Sequence, residues 1–88
     1  MKLKYSFVTN EVADKIVAVA IGDDMAKFNG FIKMNKTGAE IFNFLKDEIS
    51  MENLIAEMAK LYPEETEATV TEVVEGFVAE LEKSGVLE

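Results

Sequence analysis

The hydrophobic period of the chain changes near residue 35, and that change limits the architectures open to it. Ahead of it, apolar residues fall at alternate positions: Leu3, Tyr5 and Phe7 are separated by Lys4 and Ser6, the pattern of a half-buried strand. Lys15-Ile16-Val17-Ala18-Val19-Ala20-Ile21 is a β-branched run closed by the turn signal Gly22-Asp23-Asp24. Phe31-Ile32-Lys33-Met34 reads as a third, short strand. Asn29-Gly30 ahead of it fits either a tight hairpin turn or the end of a longer loop, and one connection over residues 22–30 is the preferred reading. Short links between consecutive strands predict an antiparallel meander.

Beyond residue 35 the spacing becomes helical. Thr37-Gly38-Ala39-Glu40 fits a capping box, worth about 1 kcal/mol, and opens a helix burying Ile41, Phe42, Leu45 and, at its margin, Phe44. Ser50 caps a second helix carrying Met51, Leu54, Ile55, Met58 and Leu61, which Tyr62-Pro63 stops. Thr66 or Glu67 starts a third, with Val70, Val73, Val74, Phe77, Val78 and Leu81 on one side. Gly85 ends it, and Val86-Leu87 can return to the core. The expected fold is α+β, in the order β-β-β-α-α-α, with a winged helix-turn-helix-like arrangement in which the helices cover one face of the sheet. At 88 residues the whole chain, 1–88, is expected to be one domain, and its start and end read as those of a free-standing protein.

The residue inventory excludes most chemistry. Cysteine and histidine are absent and all nine basic residues are lysine, which removes thiolate metal sites, the usual general base and the bidentate guanidinium clamp. Asp23-Asp24 and Glu64-Glu65 are sequence neighbours, fit no calcium-loop spacing and read as solvated turns. No glycine-rich phosphate loop occurs. Neither Ser50 nor Ser84 stands in the Asp-Ser-Leu context of a phosphopantetheine carrier. The expectation is a protein that is not an enzyme, with no cofactor and no metal. Residues 1–36 carry a net charge of +2 and residues 37–88 a net −10. The last helix exposes Glu72, Glu75, Glu80 and Glu82, a surface that would repel nucleic acid rather than neutralise phosphates. No apolar run reaches the length of a membrane span or a signal peptide, so no membrane partner is expected and the cytoplasm is the default compartment.

Two stretches carry a family likeness. Lys27 through Leu45, with Met34-Asn35 followed by Lys36-Thr37-Gly38-Ala39 and Ile41-Phe42-Asn43-Phe44-Leu45, resembles the core signature of the PqqD family: a strand ending in Leu-Asn, then Glu-Thr-Gly-Ala, then an Ile-Trp-x-Leu-Leu helix start. Ser50 through Ile55, Leu61-Tyr62, Val73 through Leu81 and Gly85-Val86-Leu87 resemble its later helices and C-terminal pair. Met34, Lys36 and Phe42 depart from the pattern without removing a group on which the fold depends. The resemblance implies a RiPP recognition element: three antiparallel strands and three helices that bind the leader of a ribosomally made precursor peptide as a fourth strand beside the third, over the groove facing the last helix. It further implies presentation of that precursor to a modifying enzyme, of the radical S-adenosylmethionine class, as in pyrroloquinoline quinone biosynthesis.

The residues themselves agree with that implication. An edge strand offers unpaired backbone groups to a peptide, and Lys33 is a usual guard against uncontrolled pairing. The candidate peptide-binding residues are Gly30, Phe31, Ile32, Lys33 and Met34 on the edge and Val73, Gly76, Phe77 and Glu80 on the last helix. Gly76 has two readings of equal standing: close packing against the domain's own core, or room for a peptide side chain. Lys27, Lys33 and Lys36 cluster near the edge in an acidic molecule, either simply solvated or steering an acidic leader segment. Asn35, Thr37 and Gly38 read as structural. The alternative function is a winged-helix protein–protein interaction or regulatory module that uses its acidic last helix without reading DNA.

Overall fold

A computed structural model describes residues 1–88. Strand β2 (Lys15–Ala20) is the middle of a three-stranded antiparallel sheet, flanked by β1 (Phe7–Val12) and β3 (Phe31–Met34). The register pairs Phe7 with Ala20 and Ala18 with Ile32, so Phe7, Ala18, Ala20 and Met34 share the buried face. The opposite face carries Val8, Val12, Ile21 and Phe31, all exposed, because no helix lies on that side. A short 3₁₀ turn (Gly22–Met25) and an irregular stretch join β2 to β3, which is the loop reading of residues 22–30. Phe28 pins that connection, its ring 5.6 Å from Phe7 and 6.2 Å from Tyr5.

The first strand lies later than the alternation at Leu3, Tyr5 and Phe7 suggests. Residues 2–4 pair with the other end of the chain: Leu3 bridges Leu87, the Lys4 N–H donates to the Val86 carbonyl at 2.7 Å, and the Glu88 N–H to Lys2 at 2.9 Å. The alternation there records one side docked on the C-terminus and one in water. β1 itself lacks a hydrophobic period because residues 8–12 are exposed, reaching past the helices. Its two-residue link to β2 holds Ala13 at φ 59°, a left-handed conformation that costs a non-glycine residue roughly 1–2 kcal/mol.

Helices α1 (Lys36–Phe44), α2 (Met51–Leu61) and α3 (Glu67–Lys83) follow. Ser50 and Thr66 cap α2 and α3 through their hydroxyls. At α1 the expected Thr37–Glu40 box is replaced by Asn35, whose side-chain oxygen accepts from the Gly38 N–H at 2.8 Å. Asparagine outranks threonine as an N-cap, and starting the helix at Lys36 frees Thr37 and Glu40 for contacts described below. α3 ends in a Schellman motif: the Val86 N–H returns to the Leu81 carbonyl and the Gly85 N–H to Glu82, with Gly85 at φ 74°. That turn delivers Val86, fully buried, against Leu81.

The core joins the sheet's inner face to Ile41, Phe42, Leu45, Leu54, Met58, Val70, Val74, Val78, Leu81 and Val86. Each large side chain fully buried here contributes about 1.5–3 kcal/mol. Leu45 at 0 % exposure also supplies the carbonyl that accepts from the Leu3 N–H, tying the N-terminus to α1. The Met1 ammonium pairs with the Glu48 carboxylate and donates to the Ile49 carbonyl at 2.9 Å; that ammonium holds the Glu48 carboxyl below its ordinary value. No helix is long and apolar enough to cross a membrane.

Candidate functional site

β3 is an edge strand, paired on one side only. Which of its backbone groups remain free follows from alternation. The Ile21 N–H donates to the Ser6 carbonyl at 3.0 Å, so the odd-numbered residues of β2 point their backbone groups at β1 and the even-numbered ones at β3. Ile16 and Ala18 therefore bond Met34 and Ile32, their register partners. The N–H and C=O groups of Phe31 and Lys33 face the open edge, and no backbone bond outside the β2–β3 ladder uses them. The row is unoccupied within the chain.

The backbones of β3 and α3 stand apart, each beside α1, whose first turn lies between them. Phe77 of α3 closes over that turn, and a Cβ on Gly38 would stand 2.8 Å from its Cε1 and 3.3 Å from the Met34 Cβ. A side chain at residue 38 would therefore displace the ring, so this glycine is needed for close approach. The result is a groove of about 500 Å³ with Asn35, Thr37, Gly38 and Ile41 on one wall and Thr69, Glu72, Val73, Gly76, Phe77 and Glu80 on the other. Val73 is 45 % exposed although it sits on the apolar side of α3. A Cβ at Gly76 would meet nothing within 4 Å, so core packing does not require this glycine, which lies exposed along the groove wall.

A second hollow of about 190 Å³ continues from the first beyond Val73, between Met58 and Tyr62 of the α2 end and Val70 and Val74 of α3. Its frame is polar. The Tyr62 hydroxyl donates to the Glu40 carboxylate and lies 3.3 Å from the Thr37 hydroxyl, joining the end of α2 to the first turn of α1. The bond to Glu40 raises the Tyr62 phenol above its ordinary value. Replacing Tyr62 by phenylalanine should cost about 1 kcal/mol at neutral pH. Because the folded phenol titrates higher than the unfolded one, its contribution is whole below about pH 10 and fades as pH rises through the folded value. Urea melts of both proteins should show the gap at pH 7 and its closure in strong alkali; a gap equal at both pH values would mean that the hydroxyl acts through packing alone.

The sequence candidates thus divide. Phe31 and Lys33 supply the free backbone groups, with side chains on the outer sheet face; Ile32 and Met34 point toward the helices, half-buried and buried. Gly30 precedes the strand at φ 138°. Val73, Gly76, Phe77 and Glu80 line one groove wall together. Lys27 is drawn to Asp24 at 3.7 Å, and Lys36 lines a separate hollow with Thr9, Ile16 and Lys46, so the three lysines do not form one patch. Thr69, Glu72, Tyr62 and Met58 line these hollows without having been site candidates in the sequence; Glu72 alone had a signal, standing four residues before Gly76 as Glu80 stands four after. A wider hollow of about 750 Å³ between α2 and the start of α3 has no free strand edge beside it. No group of three or more carboxylates converges as a metal site would need.

Comparison with known proteins agrees in family and fold. The model of the family described as coenzyme PQQ synthesis protein D (PqqD) matches residues 16–87. A solved structure, TbiB1 in complex with the TbiA(beta) leader peptide, superposes with a TM-score of 0.75 at 18 % identity, covering 100 % of this chain and 95 % of that one. No curated protein matches the chain.

Proposed function

This chain belongs to the PqqD family, and on that footing we propose that it is a non-catalytic adaptor that captures the leader of a precursor peptide by strand addition. The observation that carries the reading is the free backbone row at Phe31 and Lys33 beside a groove with Gly38 on one wall and α3 as the other. A peptide strand added there gains main-chain hydrogen bonds without regard to sequence and takes its specificity from alternate side chains. One set would point into the groove, toward Val73, Gly76 and Phe77. The other would lie beside Phe31 and Lys33 on the outer sheet face, where Lys33 favours an acidic neighbour. Lys27 and Lys36 add only to the long-range field. The TbiB1 structure, a complex with a leader peptide, supports the same class of ligand here.

The partner downstream is a modifying enzyme to which the captured precursor is presented. A radical S-adenosylmethionine enzyme fits the family's link to coenzyme PQQ synthesis. Titrating the isotope-labelled protein with the synthetic leader of a precursor encoded beside its gene tests the capture step. Amide shifts should concentrate at residues 30–35 and 73–80. Shifts confined to the outer acids of α3, Glu75 and Glu82, would replace this reading with a docking module for a folded partner.

A further inference from the structure

The groove wall has a charge pattern that sets the chemistry of what can lie in it. Glu72, Gly76 and Glu80 stand four residues apart on α3 and all line the groove. At about 1.5 Å rise per residue the two carboxylates are about 12 Å apart along the helix axis. An extended peptide covers that distance in about four residues, and its positions i, i+2 and i+4 point the same way. Neither glutamate has a cation partner: the ion pairs of the molecule are Met1–Glu48, Lys27–Asp24 and Lys60–Glu57. The opposite wall, from Asn35 to Ile41, brings no charged side chain into the groove. Between the acids lies the open space over Gly76, bordered by the exposed Val73 and the half-buried Phe77.

We propose that the groove selects a peptide strand with basic residues at i and i+4 flanking a large apolar residue at i+2, the cations meeting Glu72 and Glu80 and the apolar side chain settling over Gly76. This rests on the peptide-capture reading above and deepens it. It also divides the peptide's charge by side: basic toward α3, acidic toward Lys33 on the outer face. Acidic side chains turned into the groove at those positions would each meet an uncompensated carboxylate.

Two fluorescein-labelled peptides test this, alike except that one contains Lys-Thr-Leu-Thr-Lys and the other Glu-Thr-Leu-Thr-Glu. By anisotropy the lysine peptide should bind about tenfold more tightly at low ionic strength, the sum of two exposed attractions gained and two repulsions avoided. The gap should close near 1 M salt, where screening reaches about 3 Å. It should also vanish in a Glu72→Gln/Glu80→Gln variant that melts like the wild type. Equal affinities, a gap that survives the double variant, or binding of neither peptide would overturn the inference. A Gly76→Leu variant separates the two levels: equal affinities that both fall in it remove only the charge preference, whereas binding indifferent to it removes the groove as well.

Discussion

Replacing Gly76 by leucine should abolish peptide capture while leaving the fold at least as stable as the wild type. The two halves of that result have separate causes. Glycine inside a helix costs about 1 kcal/mol relative to alanine, and leucine nearly matches alanine. A Cβ at residue 76 meets nothing within 4 Å, so no clash offsets the gain. Gly76→Ala should therefore raise stability by about 1 kcal/mol, which for a chain of this length lifts Tm by roughly 4–8 °C. A leucine side chain there would spread over the open space on the groove wall beside Val73 and Phe77, away from the core. An occupied groove excludes a peptide side chain, and affinity should fall at least about a hundredfold, the equivalent of losing one well-buried anchor. Thermal melts and anisotropy titrations of both variants check this. Loss of stability in Gly76→Ala would return the residue to a packing role, and undiminished capture in Gly76→Leu would move the site elsewhere.

The position of β3 follows from Phe31 to Met34 and the helix start after it, both local signals. The bounds of α2 and α3 follow from Ser50, Thr66, Pro63 and Gly85, residues whose preference for helix ends has a backbone cause. The α3 wall was legible from helical spacing together with the family likeness, which put Val73, Gly76, Phe77 and Glu80 in one place. β1 was not legible, because Val8 to Val12 is exposed and follows no period, and Ala13-Asp14 lacks the glycine or asparagine that announces a tight hairpin. The N-terminal alternation misled because its bridge partner is the half-buried C-terminal Leu87, 84 residues away in sequence. Thr37 and Glu40 matched a local motif but are used at long range by Tyr62, and a local rule carries no information about that. Local chemistry located the strand and the helices; the cleft between them is a tertiary product, and only its small and exposed apolar residues hinted at it.

The edge itself permits the sharpest test, because proline distinguishes neighbouring residues of β3 by one missing N–H. The Lys33 N–H points away from β2 and the Ile32 N–H points toward it, by the alternation that Ile21 and Ser6 fix. Proline at residue 33 removes a donor that the folded chain does not use, and edge strands tolerate proline where the lost N–H faces outward. Its neighbour Ile32 is already extended, as a residue before proline must be. Lys33→Pro should therefore stay folded, with a loss of about 1 kcal/mol or less as the fixed ring adjusts the strand. An incoming strand would lose a main-chain bond and meet the ring at the centre of the pairing row, so affinity should drop by at least about thirtyfold, the combined effect of one bond and one steric block of about 1 kcal/mol each. Lys33→Thr, which removes the charge and keeps the N–H, should bind within about threefold of the wild type, as one exposed ion pair predicts. Ile32→Pro breaks the β2–β3 ladder and turns a half-buried side chain out of its site, with a cost of about 3 kcal/mol or more to the fold. Circular dichroism melts beside peptide titrations would separate the three variants. Capture lost to the same degree in Lys33→Pro and Lys33→Thr would mean that the ligand is held by charge rather than by strand addition, and capture that survives Lys33→Pro would leave the free backbone row no part in the function.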